Sequence, residues 1–313
     1  MFLPPKILGA ILGLAAAALA LWILPQPPVG VLRSGPPLSE CDGAIQSIVI
    51  QYAPSADFAL PVYRQFLRQL PSDVNVYVMC PDRSAYKSLL AGVGHVPPRL
   101  RPVIVAHEMT CWSRDRWIAF EPCSPGGPAV LLAPRGEAAA ECWPQREGDQ
   151  RLAFDLSDAF PGRIAARRSS LYFDAGDFLA DGRSVFVTVN VIQRNLQNTV
   201  FDLDQLRREI QGCFPGRKVV LLENSPDHHA GMFMMSIGDN TALVGDPSLA
   251  RAYPHPDLPG GPDFSNQTQA RFDSVAKDAA AAGYRVIRIP VIPASDGKTF
   301  LTYVNAIIDQ RDG

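Results

Sequence analysis

Two stretches of this sequence repeat the same order of predicted elements, and this repeat constrains the fold more than any other feature. Each stretch has a strand pair around a tight turn, then a helical pattern, then one more apolar strand. In chain order, the turns are ADGR at 180–183 and GDN at 238–240, the helices cover 202–214 and 269–284, and the strands cover 217–224 and 285–291. Successive units of comparable length predict an internally repeated α/β architecture.

The first part of the chain also alternates between strand and helix patterns. The predicted strands cover 44–53, 75–80, 101–107, 115–120 and 129–134, and the predicted helices cover 58–71 and 84–94. Asp202 or Asp204 is expected to cap the helix predicted over 202–214. Residues 135–168 are charged and irregular, which predicts a surface loop. Residues 300–309 are predicted to open a further hairpin, so that the last repeat is incomplete at residue 313.

The N-terminus has a different composition. Ile7 to Leu24 are all uncharged and apolar, Lys6 precedes them, and prolines follow. This length predicts a membrane anchor over residues 1–24, with a cleaved signal peptide as the close alternative and a buried helix as the third. A Pro-, Gly- and Ser-rich linker over 25–43 then leads to the domain over 44–313. Either of the first two readings places the domain on the extracytoplasmic side, membrane-anchored or secreted.

Charge and cysteine content exclude some classes of function. A formal net charge of −2 provides no basic excess for nucleic acid binding. The six cysteines permit up to three disulfides in an oxidising compartment, with the pairing open. No CxxC pair is present, which argues against a structural zinc site.

Polar residues that could carry chemistry occur in three clusters between apolar segments. They are CWSRDRW at 111–117, FDAGDF at 173–178 and NSPDHHAGMFMM at 224–235. Taken singly, each has an ordinary structural explanation: an ion pair between Arg114 and Asp115 beneath Trp112, a turn with an aspartate, and a polar loop. Adjacent histidines lack the helical i, i+4 spacing of a zinc site, so a metal is disfavoured. A metal-dependent hydrolase using His228 and His229 is the most distant hypothesis.

Taken in order, the clusters are more specific. Five motifs, in this order, together resemble those of the agmatine deiminase and protein-arginine deiminase superfamily. They are W-x-R-D at 112–115, FD-x-G-D-F with its following turn, a histidine before MFM, IRIP at 287–290 and TYVNAIID at 302–309. These enzymes modify guanidino groups. The resemblance implies the pentein fold, an α/β propeller of five ββαβ modules around a central site.

The resemblance also implies roles for individual residues. In that superfamily a cysteine thiolate attacks the guanidinium carbon, two carboxylates hold the planar cation, and a histidine transfers protons. Asp115 matches the first carboxylate, and His229 matches the histidine. Asp177 stands where an asparagine is usual, and Trp112 and Asp174 lie beside these positions as expected substrate-binding residues. No cofactor is implied.

The sequence departs from the family pattern at two places. Gly231 stands where the second carboxylate is expected, and Asp227 is its nearest substitute. No cysteine occupies the place of the nucleophile, and Cys80 or Cys111 would need a rearranged site. The sequence therefore predicts a degenerate or C-terminally truncated deiminase-type hydrolase, whose ligand is a small guanidino compound or an arginine side chain. The alternative is a non-catalytic, membrane-tethered binding protein that uses Asp115 and Asp177 to recognise a cation.

Overall fold

The computed structural model describes residues 34–94, 98–137 and 144–311. The chain from Gly35 onward forms one compact unit. The predicted anchor or signal over 1–24 and residues 25–33 of the predicted linker lie outside the described residues. Within the described ranges, no helix is both long and apolar enough to cross a bilayer.

The first sheet contains parallel strands joined by helices. Its strands are β1 Ser47–Gln51, β2 Asn75–Cys80 and β3 Leu100–Ile104, and its helices are α1 Leu60–Gln69 and α2 Arg83–Val93. Helix α2 begins after Asp82, whose carboxylate accepts a hydrogen bond from the Ala85 N–H at 2.7 Å. It ends at Gly94, which has a left-handed φ of 66°. The predicted elements of residues 44–107 are confirmed.

Three further sheets share the repeated topology that the sequence predicts. In each, the first two strands are antiparallel, and a helix leads to a third strand parallel to the second. The first of these sheets has β4 Ile118–Phe120, β5 Ala129–Ala133, α3 Pro144–Asp149, α4 Leu152–Ala159 and β6 Ile164–Arg168. The second has β7 Phe178–Ala180, β8 Ser184–Val187, α5 Val189–Asn195, α6 Leu203–Cys213 and β9 Lys218–Leu221. The third has β10 Met234–Ser236, β11 Thr241–Asp246, α7 Pro247–Ala250, α8 Asn266–Ala281 and β12 Arg285–Pro290. The mixed α/β class is confirmed.

The prediction of a surface loop over 135–168 is wrong. This stretch contains two helices and a strand, and it completes a third copy of the repeat. Leu152 and Leu156 of α4 are buried in a cluster with Met79 and Val103 from the first sheet. Strand β6 was not predicted because its sequence, IAARR, contains one large apolar side chain, whereas β9 and β12 each contain three.

The hairpin turns explain why the repeat folds as it does. In the first turn the carboxylate of Asp181 accepts hydrogen bonds from the backbone N–H groups of Arg183 and Ser184 at 2.8 and 2.9 Å. In the second, Gly238, Asp239 and Asn240 all adopt left-handed backbone angles.

The last pair of strands is short. Strands β13 Ile292–Pro293 and β14 Phe300–Leu301 form an antiparallel hairpin. The segment predicted to open a hairpin therefore supplies its second strand instead. In residues 302–311, the remainder of the described chain, no further strand joins it.

Residues 35–45, here called the strap, run along several of these sheets. Leu38 N–H donates to the Ala119 carbonyl at 2.9 Å, and Glu40 N–H donates to the Ala180 carbonyl at 3.0 Å. The C-terminal segment returns to the strap, where Ile308 N–H donates to the Glu40 carbonyl at 2.9 Å. Much of the stretch predicted as a linker is therefore hydrogen-bonded to the domain.

A buried polar network connects the strap to the two repeats recognised from sequence. The Cys41 thiol donates to Ser236 Oγ at 3.6 Å, and Ser236 and Tyr284 both donate to the carboxylate of Asp181. The described cysteines are all free thiols, namely Cys41, Cys80, Cys111, Cys123 and Cys213. The expectation of disulfides is therefore wrong for these five, while Cys142 lies outside the described residues.

Candidate functional site

Three short 3-10 helices bring the predicted site residues together. They are Ser113–Asp115, Ala175–Asp177 and Ala230–Met232, and the second contacts both of the others. Each lies just before the first strand of one of the three repeated sheets. Asp115 and Asp177 end their 3-10 helices and His229 immediately precedes its own, and the contacts between these helices bring the three residues close together.

Asp115 and His229 form the centre of the candidate site. The Nδ1 atom of His229 lies 3.6 Å from Oδ1 of Asp115, and Nη2 of Arg116 lies 3.5 Å from Oδ2. Both separations exceed a well-formed charged hydrogen bond of about 2.7–2.9 Å. Asp115 is only 8% exposed, and burial raises its pKa although His229 and Arg116 act in the opposite direction. The negative charge of this carboxylate is therefore incompletely compensated within the protein.

Asp177 lies beside this centre, but its oxygens are used within the protein. Oδ1 accepts hydrogen bonds from Thr188 Oγ1 and Asn190 Nδ2, both at 3.1 Å, and Oδ2 accepts from the Asp174 N–H at 3.1 Å. The side chain is almost fully buried, and this burial raises its pKa against the opposing effect of His229. Asp177 thus fixes the turn that carries it and adds negative potential to the site.

Gly176 permits the close approach of His229. A Cβ atom at this position would lie 2.7 Å from Nδ1 of the His229 ring, a distance that side chains do not reach. The ring therefore packs directly on the backbone of the second 3-10 helix.

Asp174 belongs to a different arrangement, here called the ionic cluster, which consists of Glu137, Arg146, Asp174 and Arg194. Each acid contacts both arginines. Asp174 accepts hydrogen bonds from Arg146 and from Arg194, the latter at 3.2 Å. Glu137 accepts a hydrogen bond from Arg194 at 2.6 Å and lies 3.5 Å from Arg146. Burial alone would raise the pKa of Asp174, but the two arginines outweigh burial and hold it below its usual value. Asp174 is therefore neutralised by the protein itself.

Arg116 is held by a second buried acid. Its guanidinium lies 3.1 Å from Asp149, which is almost fully buried and also accepts hydrogen bonds from the N–H and Oγ1 of Thr110 at 2.9 and 2.8 Å. This contact draws Arg116 away from Asp115. Arg114, the partner expected for Asp115, instead pairs with Glu40 and donates to the Phe178 carbonyl at 3.0 Å, so the predicted local ion pair is wrong.

Two other predicted substrate-binding residues are solvent-exposed. Trp112 is 55% exposed and packs against Phe58, with ring centroids 6.1 Å apart. Asp227 is exposed and acts electrostatically on His228. Their roles in ligand binding stay predictions.

The space beside Gly231 is filled by another residue. A Cβ atom there would lie 2.9 Å from Oδ1 of Asn305, whose Nδ2 donates to the sulfur of Met232 at 3.6 Å. A carboxylate at position 231 would therefore have to displace the Asn305 side chain.

Among the described cysteines, no thiol hydrogen-bonds to His229. The Cys111 thiol interacts electrostatically with Asp115 and Arg116. Burial raises the pKa of this thiol, which disfavours the nucleophilic thiolate. Within the described ranges, no group of three or more His, Cys, Asp and Glu side chains has the arrangement of a metal site.

Sequence reasoning missed several residues that shape the site. They are Arg116, Glu137, Arg146, Asp149 and Arg194. Arg146 and Asp149 fall in the stretch predicted as a loop, where nothing in the pattern marked them. The only signal for Arg194 was a charge shortly after the mostly apolar stretch 184–192.

No family model matches the sequence, and no curated protein is detectably similar to it. Solved structures do match. An agmatine deiminase from C. jejuni superposes with a TM-score of 0.64 and 13% identity, over 87% of this chain and 79% of that one. A C. jejuni agmatine deiminase variant with substrate bound gives 0.60 and 12%, over 82% and 74%.

The agmatine deiminase of Enterococcus faecalis gives a TM-score of 0.57 at 13% identity, over 86% of this chain and 73% of that one. The chain therefore has the same fold as these agmatine deiminases, and the predicted resemblance is confirmed as a likeness of fold.

Proposed function

We propose that the domain is a deiminase-type hydrolase in degenerate form, which binds the guanidino group of an agmatine- or arginine-like compound at Asp115. The observation that carries this proposal is a buried carboxylate with a raised pKa, 3.6 Å from a histidine and without a short ionic partner. A planar guanidinium would supply the missing positive charge and could bond to both oxygens at once.

The second part of the proposal concerns the chemistry after binding. In a covalent deiminase reaction, a thiolate attacks the guanidinium carbon, ammonia leaves with a proton from a general acid, and water then releases the ureido product. In this proposal His229, 3.6 Å from Asp115, is the group that would transfer protons. Because no described thiol bonds to His229 and burial raises the pKa of Cys111, we propose that the ligand is held without turnover.

The same observation favours a second candidate, a non-catalytic binding protein tethered to a membrane. Here residues 7–24 would anchor the chain, the domain would lie on the extracytoplasmic side, and Asp115 with the negative potential of Asp177 would recognise a cation. Resistance of the protein to carbonate extraction from membranes would support the anchor, whereas full release would contradict it. The propeller arrangement of the ββαβ modules, with the last module incomplete, is likewise a proposal.

Calorimetry with agmatine tests the binding proposal directly. Replacing Asp115 by Asn should weaken binding by about 1–3 kcal/mol, because the charged hydrogen-bond partner of the guanidinium is lost. The control is Asp204→Asn, which changes an exposed aspartate paired only with Arg207 and should leave the affinity unchanged.

An ammonia assay on the same preparation separates binding from turnover. The expected outcome is agmatine binding without ammonia release. Robust release would disprove the degenerate form, and equal affinities of the wild-type and Asp115→Asn proteins would remove the site assignment.

A further inference from the structure

His228, the first histidine of the adjacent pair, makes a hydrogen bond that the function proposed above does not use. Its Nδ1 atom accepts a hydrogen bond from the backbone N–H of His229 at 2.8 Å. A ring nitrogen that accepts a hydrogen bond carries no proton, so the remaining proton of the neutral ring lies on Nε2. The ring also hydrogen-bonds to the backbone of Lys298, in the sense that favours a proton on the imidazole.

These contacts join the site to the hairpin of β13 and β14. The His228 ring packs edge-on against Phe300 of β14, with centroids 5.4 Å apart, and against the His229 ring at 5.2 Å. The hairpin loop that carries Lys298 is itself fixed by Asp296, which accepts hydrogen bonds from the N–H groups of Lys298 and Thr299 at 2.8 Å. One imidazole therefore connects the backbone of His229 to an ordered loop.

The charges around His228 act in both directions. Burial lowers its pKa most strongly and the charge of His229 lowers it further, whereas the Lys298 backbone bond, Asp227 and Asp296 raise it. The net direction is downward, which keeps the ring neutral around neutral pH. A proton on Nδ1 would convert the acceptor into a donor that faces the His229 N–H, and the hydrogen bond would be lost.

We propose that His228 is a positioning residue whose neutral imidazole fixes the backbone of His229 against the β13–β14 hairpin, and whose protonation releases it. Its effect on ligand affinity rests on the proposed function of His229, but its effect on the position of His229 does not. The ring is thus a pH-dependent support for the site.

Substitutions at position 228, with a control at another histidine, distinguish this role from simple packing. Asparagine at position 228 can place its amide oxygen where Nδ1 lies, so His228→Asn retains the acceptor and removes the titration. His228→Ala removes the acceptor together with the ring. His255, an exposed histidine whose Nδ1 lies 3.2 Å from the Pro256 carbonyl, provides the control variant His255→Ala.

The first measurement needs no ligand. Nitrogen NMR of the full chain with labelled histidine should show His228 at neutral pH with an unprotonated Nδ1, and amide exchange should show a protected His229 N–H. In His228→Ala this amide should exchange about fivefold faster or more, as expected when a hydrogen bond is lost, while His228→Asn and His255→Ala should retain most of the protection. A proton on Nδ1 at neutral pH, or unchanged exchange in His228→Ala, would overturn the proposal.

The second measurement uses agmatine as the probe. His228→Ala should weaken binding about fivefold or more, with a much smaller loss in His228→Asn, because only the first variant loses the acceptor. Equal losses in the two variants would show that the ring acts by packing and would overturn the acceptor role. If the wild-type chain binds no agmatine, the proposed function fails, and the exchange experiment still decides the role of His228.

Discussion

Two aspartates of this domain lie in neighbouring parts of the candidate site, yet the protein treats their charges in opposite ways. Asp174 is held by two arginines within the ionic cluster, and its pKa is lowered. The basic side chains nearest to Asp115 are His229 and Arg116, at 3.6 and 3.5 Å, and burial raises the pKa of Asp115. The difference separates a carboxylate that is paired within the fold from one that, in the proposed function, binds the ligand.

The comparison also shows why a motif match is not sufficient to assign a site residue. Both aspartates fall within matched motifs and both are largely buried. The two differ in the partners that other parts of the chain supply. Arg146 and Arg194 pair with Asp174, whereas Asp149 pairs with Arg116, the neighbour of Asp115. A carboxylate stays available to a ligand when the basic side chains near it are paired with other acids.

The largest expected effect is the loss of Arg146. Replacing it by Ala should lower the free energy of unfolding by about 2–3 kcal/mol, because Asp174 and Glu137 would each lose a cationic partner in a poorly hydrated cluster. Asp115→Asn should leave stability unchanged or raise it by up to about 1 kcal/mol, since it removes an incompletely compensated buried charge. Urea unfolding measures both. Equal costs for the two substitutions would erase the distinction between the aspartates.

A smaller effect is expected from adding a methyl group at Gly176. Its Cβ would lie 2.7 Å from the His229 ring, so Gly176→Ala should destabilise the domain by about 1–2 kcal/mol and also weaken agmatine binding. The matched control is Gly212→Ala within α6, where the new Cβ meets nothing within 4 Å. That substitution should stabilise the helix by up to about 1 kcal/mol. Thermal unfolding of the two variants should therefore shift in opposite directions.

The smallest expected effect is on the pH dependence of stability. The lowered pKa of Asp174 means that its contribution is present above the unfolded value of about 3.9 and is lost as pH falls through the folded pKa. The raised pKa of Asp115 has the opposite sign: its cost is absent below about pH 3.9 and develops as pH rises toward the folded pKa.

Unfolding free energies measured from pH 3 to pH 7 would therefore separate the two aspartates. Asp174→Asn should flatten the loss of stability in acid. Asp115→Asn should match the wild-type protein in acid and gain on it by roughly 1 kcal/mol at higher pH. Parallel curves for the wild-type and Asp115→Asn proteins would contradict the raised pKa.

The repeats were predictable because their signals are local. Apolar alternation, the turns at 180–183 and 238–240 and the cap at Asp202 each act within a few residues, and the structure confirms them. The copy that includes residues 135–168 was not predicted, because its third strand has one large apolar side chain and its helix α4 is stabilised by apolar contacts with the first sheet. Such contacts leave no periodic trace in the sequence.

The sequence pointed to residues that lie close together but not to their chemical environment. The ordered motifs select Asp115, Asp177 and His229, which the structure places near one another, while their role in a site stays a prediction. They could not show that Asp177 is engaged by Thr188 and Asn190, since these partners become neighbours only after the chain has folded. Which carboxylate is open to a ligand is therefore a property of the tertiary structure.

The strap has a mechanical consequence. A pulling force applied at residue 34 would be carried by hydrogen bonds to β4, to Ala180 at the end of β7 and to the C-terminal segment at Ile308, which are distributed over separate parts of the domain. The load would therefore be shared between these elements. If residues 1–24 hold the chain in a membrane, residues 35–45 are the segment through which movement of that attachment reaches the domain.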